Sequence, residues 1–193
     1  MKKIPTLFER VFENHKKVDI LPNVPKDLEW VIKGEGIATE KYDGSCCAII
    51  DGKYYKRYDA KQGKKPPVGA IPCCDPDPIT GHWPHWIEVD RNNKGDVWHI
   101  AAYENTQGDT LADGTYEVIG PHFRNNPYGL DRDILVRHGE KVLDDVPRSF
   151  EGIREYLHDH NIEGIVFWKD GKAQCKIKRS DFGFDWNNDN RRK

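Results

Sequence analysis

Two dipeptides, Asp51-Gly52 and Asp170-Gly171, constrain this chain more than any other feature, because each stands between two short runs of strand-forming residues. Asp-Gly supplies the positive φ angles of a tight hairpin turn, so the flanking runs are expected to pair antiparallel. The first turn joins Cys46-Cys47-Ala48-Ile49-Ile50, an apolar run that reads as a buried strand, to Lys53-Tyr54-Tyr55-Lys56-Arg57-Tyr58. The second joins Glu163-Gly164-Ile165-Val166-Phe167-Trp168 to Ala173-Gln174-Cys175-Lys176-Ile177-Lys178. Just ahead of the first hairpin lies Thr39-Glu40-Lys41-Tyr42-Asp43-Gly44-Ser45, in which a lysine has acids on either side. A lysine so placed can be positioned and have its pKa adjusted. Taken alone it equally suits a surface lysine near a turn, since a motif as short as Lys-x-Asp-Gly arises readily by chance.

The rest of the chain extends this strand-rich pattern. Strands are expected around 37–42, 45–51 and 53–58, at Gly114–Gly120 between two glycines, and at Ile134–Arg137. Ser149 is placed to cap a helix running to about His160, with Phe150, Ile153, Tyr156 and Leu157 as its apolar stripe. Thr6 and Glu9 have capping-box spacing, and Leu7, Phe8, Val11 and Phe12 recur at helical intervals, which predicts a short N-terminal helix over 6–16. Val18–Pro25 reads as a connection, Leu28–Ile37 as extended, and 96–102 suits helix and strand equally. From Asp59 to Glu88 prolines and glycines recur, predicting a long structured loop that buries Ile71, Trp83 and Trp86. A polar tail, 187–193, is expected to fray. Many strands, few helices and no repeating order predict the α+β class: antiparallel sheets with flanking helices, in a single domain over 1–193.

Composition limits the function classes. With 32% charged and 37% apolar residues, the chain has a heavily charged surface but enough apolar side chains to bury a core. No long apolar segment suggests a membrane span, and Met1-Lys2-Lys3-Ile4-Pro5 leads into charged residues rather than a signal core, so a cytoplasmic location is expected. The five cysteines, as two adjacent pairs plus Cys175, are unlike a secreted disulfide framework and are expected to be free thiols. Cys73, Cys74, His82 and His85 offer four zinc-ligating side chains, but not at finger spacing, so packing or loop rigidity is the favoured account. A net charge of −2 excludes binding of nucleic acid by bulk field and leaves that to local patches. One patch comprises Lys53, Lys56, Arg57, Lys61, Lys64 and Lys65, the other Lys169, Lys172, Lys176, Lys178 and Arg179; either alone also suits a solvated face.

Chemistry concentrates where an ionisable residue interrupts a short apolar strand: at Lys41, Glu117, Glu163 and the pair Lys176/Lys178. In Lys176-Ile177-Lys178 the period of two puts both amines on one face. Adjacent ammonium groups repel unless an anion lies between them, and a polyphosphate is such an anion; an outward polar stripe is the plainer alternative. Glu163 beside those amines suits a hard divalent cation shared with phosphates, or an ordinary salt bridge. Glu117 could accept from ribose hydroxyls or simply face solvent, and Arg57 could hold a phosphate or pair with Asp51 or Asp59.

Together these residues resemble the covalent nucleotidyltransferases, the polynucleotide ligases and capping enzymes. Lys41-Tyr42-Asp43-Gly44 is similar to their nucleotide-acceptor motif, and Arg57 falls where they carry the next basic motif. Tyr116-Glu117-Val118-Ile119-Gly120 resembles the aromatic-Glu-x-x-Gly motif, Glu163-Gly164 the Glu-Gly motif, and Lys176-Ile177-Lys178 the final Lys-x-Lys, all in the family's order. Pro127-Tyr128-Gly129-Leu130 and Gly81-His82-Trp83-Pro84 resemble, more narrowly, small ATP-dependent RNA ligases. The resemblance implies a nucleotidyltransferase (ligase adenylation) domain in which Lys41 attacks the α-phosphate of ATP and keeps AMP as a phosphoramidate. It further implies that Glu40 helps seat adenine, Glu117 the ribose and Glu163 Mg²⁺ or Mn²⁺, while Arg57, Lys176 and Lys178 bind the nucleotide. The partner it implies is RNA with a 5′-phosphate and a 3′-hydroxyl; nothing points to a protein partner. An amine of ordinary pKa, about 10.4, is protonated at neutral pH, so Lys41 needs the neighbouring cations to favour its neutral form.

The sequence departs from the wider family in two places. It stops soon after Lys178, leaving no room for an appended OB-fold or the family's last motif, which fits a minimal RNA ligase better than a capping enzyme or replicative DNA ligase. The aromatic that stacks on the base is not evident; Phe123, Leu135 and Val136 are the candidates. A GTP-dependent capping-type guanylyltransferase, a DNA nick ligase and a non-catalytic RNA-binding module are the rival functions.

Overall fold

A hairpin, not a helix, opens the chain. In the computed structural model, which describes residues 3–14, 16–60, 65–78 and 81–186, strands β1 (Glu9–Glu13) and β2 (Lys16–Leu21) pair antiparallel where the sequence predicts a helix over 6–16 and then a connection. The reason is long-range. Leu7 N–H donates to the Lys176 carbonyl (2.8 Å) and Lys176 N–H to the Pro5 carbonyl (3.0 Å), so residues 5–7 are bonded to a distant strand edge and cannot start a helical turn. Leu7 and Phe8 are buried, while Phe12, assigned to the same helical stripe, is exposed. The tail 187–193 and Lys61 and Lys64 of the first basic patch lie outside the described residues.

A second correction follows within 28–37. A 3₁₀ turn at Lys26–Leu28 runs into a one-turn helix, α1 (Glu29–Ile32), where an extended segment is predicted. Leu28 and Val31 are buried three residues apart, a helical spacing too short to register as periodicity. The chain then enters β3 (Ile37–Lys41), β4 (Ser45–Ile50) and β5 (Lys53–Ala60). Asp51 and Gly52 turn β4 into β5 with φ of 50° and 70°, the conformation their types favour. The expected loop to Glu88 contains β6 (Ile71–Pro72) and β7 (Trp83–Glu88), and β7 pairs with β5 from Tyr55↔Glu88 to Ala60↔Trp83. Pro84 sits in β7 without damage. Its carbonyl accepts from Cys73 N–H, so its missing donor falls on that side and not on the ladder to β5.

The ambiguous stretch at 96–102 is helical: α2 (Val97–Asn105) follows a 3₁₀ turn at Lys94–Asp96. Then come β8 (Gly114–Ile119), β9 (Ile134–Arg137), α3 (Phe150–Asp159), β10 (Gly164–Lys169) and β11 (Lys172–Lys178). Ser149 accepts from Gly152 N–H (3.1 Å) and caps α3, whose Ile153, Tyr156 and Leu157 are buried as the apolar stripe predicts. Among the described residues no helix is long and apolar enough to cross a membrane.

Among the described residues the strand pairings within the three sheets are all antiparallel, and the class is α+β. The described residues divide into two compact units, those within 43–138 and those within 4–42 and 139–186. The unit of residues 43–138 holds a six-stranded sheet in the order β6-β7-β5-β4-β8-β9. Its strand β4 is apolar from Cys46 onward because both faces are covered there. Cys47 and Ile49 enter a cluster with Tyr54, Tyr103, Tyr116 and Val118, while Cys46 and Ala48 pack with Tyr55 and Trp86. The other unit holds the three-stranded sheet β11-β10-β3 and the hairpin β1-β2. Leu7, Phe8, Val31, Ile153, Leu157, Ile165, Phe167 and Ile177 form its core.

Candidate active site

In the three-stranded sheet β10 is central, and Gly164 is the register partner of both Lys41 on β3 and Lys178 on β11. Glycine is required here because a Cβ would run into the Ile177 carbonyl on the neighbouring strand. Glu163, one residue earlier and 4% exposed, gives one carboxylate oxygen to Lys41 Nζ and the other to Lys178 Nζ at 2.7 Å. Lys41 Nζ also donates to the Tyr42 carbonyl (3.2 Å). Lys176 shares the face of Lys178, and Ile177 between them is wholly buried, as alternation requires. Four residues expected to serve one site, Lys41, Glu163, Lys176 and Lys178, are therefore gathered by two strand pairings. The salt-bridge alternative for Glu163 is also realised, with two lysines rather than one.

The cluster carries more positive than negative charge. Burial pushes the Lys176 amine down from 10.5 to about 8, with Lys41, Lys178 and Arg10 acting in the same direction and Glu163 against it. Folded Lys176 releases its proton near pH 8 while the unfolded chain holds it to about 10.5, so stability from this residue rises with pH across that window. Lys176→Met should remove that slope. In Glu163→Gln the opposing carboxylate charge is gone, and Lys176 should titrate below about 8, read from NMR of reductively methylated lysines. A wild-type value near 10.5, or an upward move in Glu163→Gln, would contradict the arrangement.

Glu40 lies elsewhere. It pairs in register with Ile165, a core residue, and so occupies the opposite face of β3 from Lys41. Its buried carboxylate meets Lys141, whose Nζ stands 2.6 Å from Oε2 but off the direction of a hydrogen bond. The Glu40 carboxylate beside it raises the Lys141 pKa, partly offset by burial. Lys141 is an isolated lysine in the connection from β9 to α3, and no sequence signal singles it out.

Glu117 and Arg57 belong to the six-stranded sheet. Arg57 is the register partner of Trp86, and Glu117 of both Cys46 and Val136; continuing the β4–β5 register one residue past Cys47↔Lys56 aligns Arg57 with Cys46, so all five fall in one row on a single face. Arg57 Nε pairs with Asp59 at 3.1 Å. Burial disfavours the Arg57 charge, but Cys46, Asp59 and Glu117 together raise its pKa. Burial, then the Glu117 charge, pushes the Cys46 thiol up to about 12, which suits a packing residue rather than a nucleophile. Glu117 Oε1 accepts from Gly44 N–H (3.0 Å), and Oε2 lies 2.9 Å from Nε2 of His138, whose Nδ1 meets Thr115 Oγ1 at 3.0 Å. His138 is a partner that sequence reasoning missed, for want of any motif around it. Of the stacking candidates, Leu135 is buried in the core, Phe123 packs on it, and Val136 alone shares the Glu117 row.

Among the described residues no group of three His, Cys, Asp or Glu could hold a metal. Cys73, Cys74, His82 and His85, the alternative zinc ligands, form no such group. His85 is buried, with Nδ1 on the Trp83 carbonyl (2.9 Å), and His82 pairs with Asp59 at 3.3 Å. All five cysteines are free thiols.

Comparison with known proteins adds an independent line. No family model matches the chain. It is 25% identical to RNA ligase 1 of Pongo abelii over 78% of this chain and 68% of that protein. It is 26% identical to RNA ligase 1 of Rattus norvegicus over the same shares, and 29% identical to that of Danio rerio over 55% of this chain and 42% of the relative. These similarities support an RNA-ligase-like relationship.

Proposed function

We propose that this protein is an ATP-dependent RNA ligase working through a lysyl-AMP intermediate in a nucleotidyltransferase domain. The observation that carries the reading is the convergence of Lys41 with Glu163 and Lys178, where β3 pairs with the β10–β11 hairpin and Lys41 meets a carboxylate 122 residues away in the chain. An excess of amines over carboxylates on one sheet face is poised for a polyanion, and a nucleoside triphosphate supplies it. Lys41, having left Glu163 and lost its proton, attacks the α-phosphorus of ATP. A nitrogen–phosphorus bond forms, the bond to the β-phosphate oxygen breaks, and pyrophosphate departs with that electron pair. Lys176 and Lys178 stabilise the charge that develops on the phosphoryl oxygens. Glu117 takes the ribose hydroxyls and Arg57 a phosphate, whereas Glu40, on the core face of β3 against Lys141, is not assigned to the adenine.

Glu163, a buried carboxylate beside the amines of Lys41 and Lys178, would hold a Mg²⁺ or Mn²⁺ ion, since such a hard cation takes one or two carboxylates together with substrate phosphates. When bound, such an ion neutralises phosphate charge. AMP next passes to an RNA 5′-phosphate, and a 3′-hydroxyl displaces it to seal the strand.

The test is joining of a 5′-phosphorylated, 3′-hydroxyl RNA with ATP and Mg²⁺, run beside GTP, a nicked DNA duplex and RNA without nucleotide. Sealed RNA with ATP alone is the expected result. Covalent labelling by GTP would favour the guanylyltransferase, sealing of DNA only the nick ligase, and RNA retention without labelling the binding module.

A further inference from the structure

The backbone that follows Lys41 is held by side chains to which the motifs assign no such task. Asp43 N–H donates to the Tyr128 hydroxyl (2.7 Å), Gly44 N–H to Glu117 Oε1 (3.0 Å), and Arg124 Nε donates to the Gly44 carbonyl (3.2 Å). The Arg124 guanidinium also stands 3.7 Å from the Asp43 carboxylate. Gly44 itself is packed so that a Cβ would meet the Val118 carbonyl.

Arg124 and Tyr128 come from the connection between β8 and β9, which is built at a cost. Arg124, Asn125 and Asn126 have successive φ values of 50°, 59° and 52°, a left-handed run that L-residues seldom sustain. The turn is locked from within. Phe123 N–H bonds the Gly120 carbonyl (3.0 Å), Asn126 N–H the Phe123 carbonyl (2.9 Å), and the Asn126 side chain takes both the N–H (3.0 Å) and the carbonyl (2.8 Å) of Leu130. Strain that its surroundings over-determine directs attention to what the segment delivers. Here it delivers a guanidinium and a hydroxyl to two adjacent residues of the Lys-Tyr-Asp-Gly stretch.

We propose that Arg124 and Tyr128 are positioning residues for nucleotide transfer: by gripping the Asp43–Gly44 backbone they limit the arc through which the chain can carry Lys41, two residues upstream. The proposal rests on the ligase reading above. A nucleophile held near its attack geometry reacts faster without binding substrate more tightly, so the effect belongs to the rate and not to ATP affinity.

Two readouts on wild type, Arg124→Ala, Arg124→Lys and Tyr128→Phe test it: single-turnover labelling with α-labelled ATP, and amide hydrogen exchange at Asp43 and Gly44. Arg124→Ala and Tyr128→Phe should slow labelling at saturating ATP about tenfold with half-saturation unchanged within about twofold. Arg124→Lys, which keeps a donor for the Gly44 carbonyl, should recover most of the rate. Tyr128→Phe should speed exchange at Asp43 about tenfold. Unchanged rates in variants that stay folded, or a raised half-saturation with an intact plateau, would overturn the proposal. If wild type takes no label at all the ligase reading falls, while unaltered exchange at Asp43 in Tyr128→Phe would separately refute the grip.

Discussion

Glu163→Ala should abolish most nucleotide-adduct formation and destabilise the fold at once, because one carboxylate answers to several amines. In the wild type it contacts Lys41 and Lys178, and its charge opposes the depression of the Lys176 pKa. Without it those cations face each other across a partly buried sheet face. Removing one member of a fully buried pair costs about 3–5 kcal/mol. Lys41 and Lys178 keep 19% and 32% of their side chains in contact with solvent, so we expect a smaller loss, about 2 kcal/mol. The rate of labelling should fall about 10²–10³-fold, the scale for removing one preorganised charge at a reacting group. Glu163→Gln keeps the shape and removes the charge. If it restores stability and leaves the rate low, the carboxylate acts electrostatically; if Glu163→Ala labels normally, the residue has no part in the reaction.

The second large effect lies under the site. Phe167 is wholly buried on β10, on the face opposite the amines, and Arg148 stacks over its ring at 5.3 Å. It packs in one core with Ile165, Ile177 and Leu157. Phe167→Ala removes the ring and leaves a cavity that surrounding strands and helix can only partly fill, a loss of about 3–5 kcal/mol. That is a large share of a typical stability of about 5–15 kcal/mol. Because β10 is the strand that sets Gly164 between Lys41 and Lys178, activity should fall with the folded fraction. Denaturant melts of Phe167→Ala and Phe167→Leu separate the two contributions: Leu should recover more than half of the lost stability, and labelling per folded molecule should be normal in both. A Phe167→Ala midpoint within error of wild type would mean the core is not arranged as described.

What the sequence disclosed follows the range over which each signal acts. The Asp-Gly turns and the apolar run Cys46–Ile50 were readable because turn chemistry and two-sided burial are local properties. Lys176 and Lys178 were readable as a pair because alternation is fixed by the strand itself. The N-terminal hairpin was not, since the edge that captures residues 5–7 lies at Lys176. Strand β7 was hidden by Pro84, whose harmlessness depends on which side its missing N–H faces. In the candidate site the strands brought Lys41, Glu163, Lys176 and Lys178 together and set Arg57 and Glu117 on one row, whereas Glu40 went to the core face beside Lys141. Arg124, Tyr128 as a backbone clamp, His138 and Lys141 carry no pattern of their own; only the fold names their partners.

The most direct measurement locates the nucleotide. Wild type and Lys41→Ala are incubated with ATP and Mg²⁺, and peptide mass spectrometry under conditions that spare phosphoramidates maps the modified residue. AMP is expected on Lys41 in the wild type and nowhere in Lys41→Ala. AMP on Lys176, the neighbouring amine whose pKa is lowered to about 8, or full modification of Lys41→Ala, would contradict this expectation.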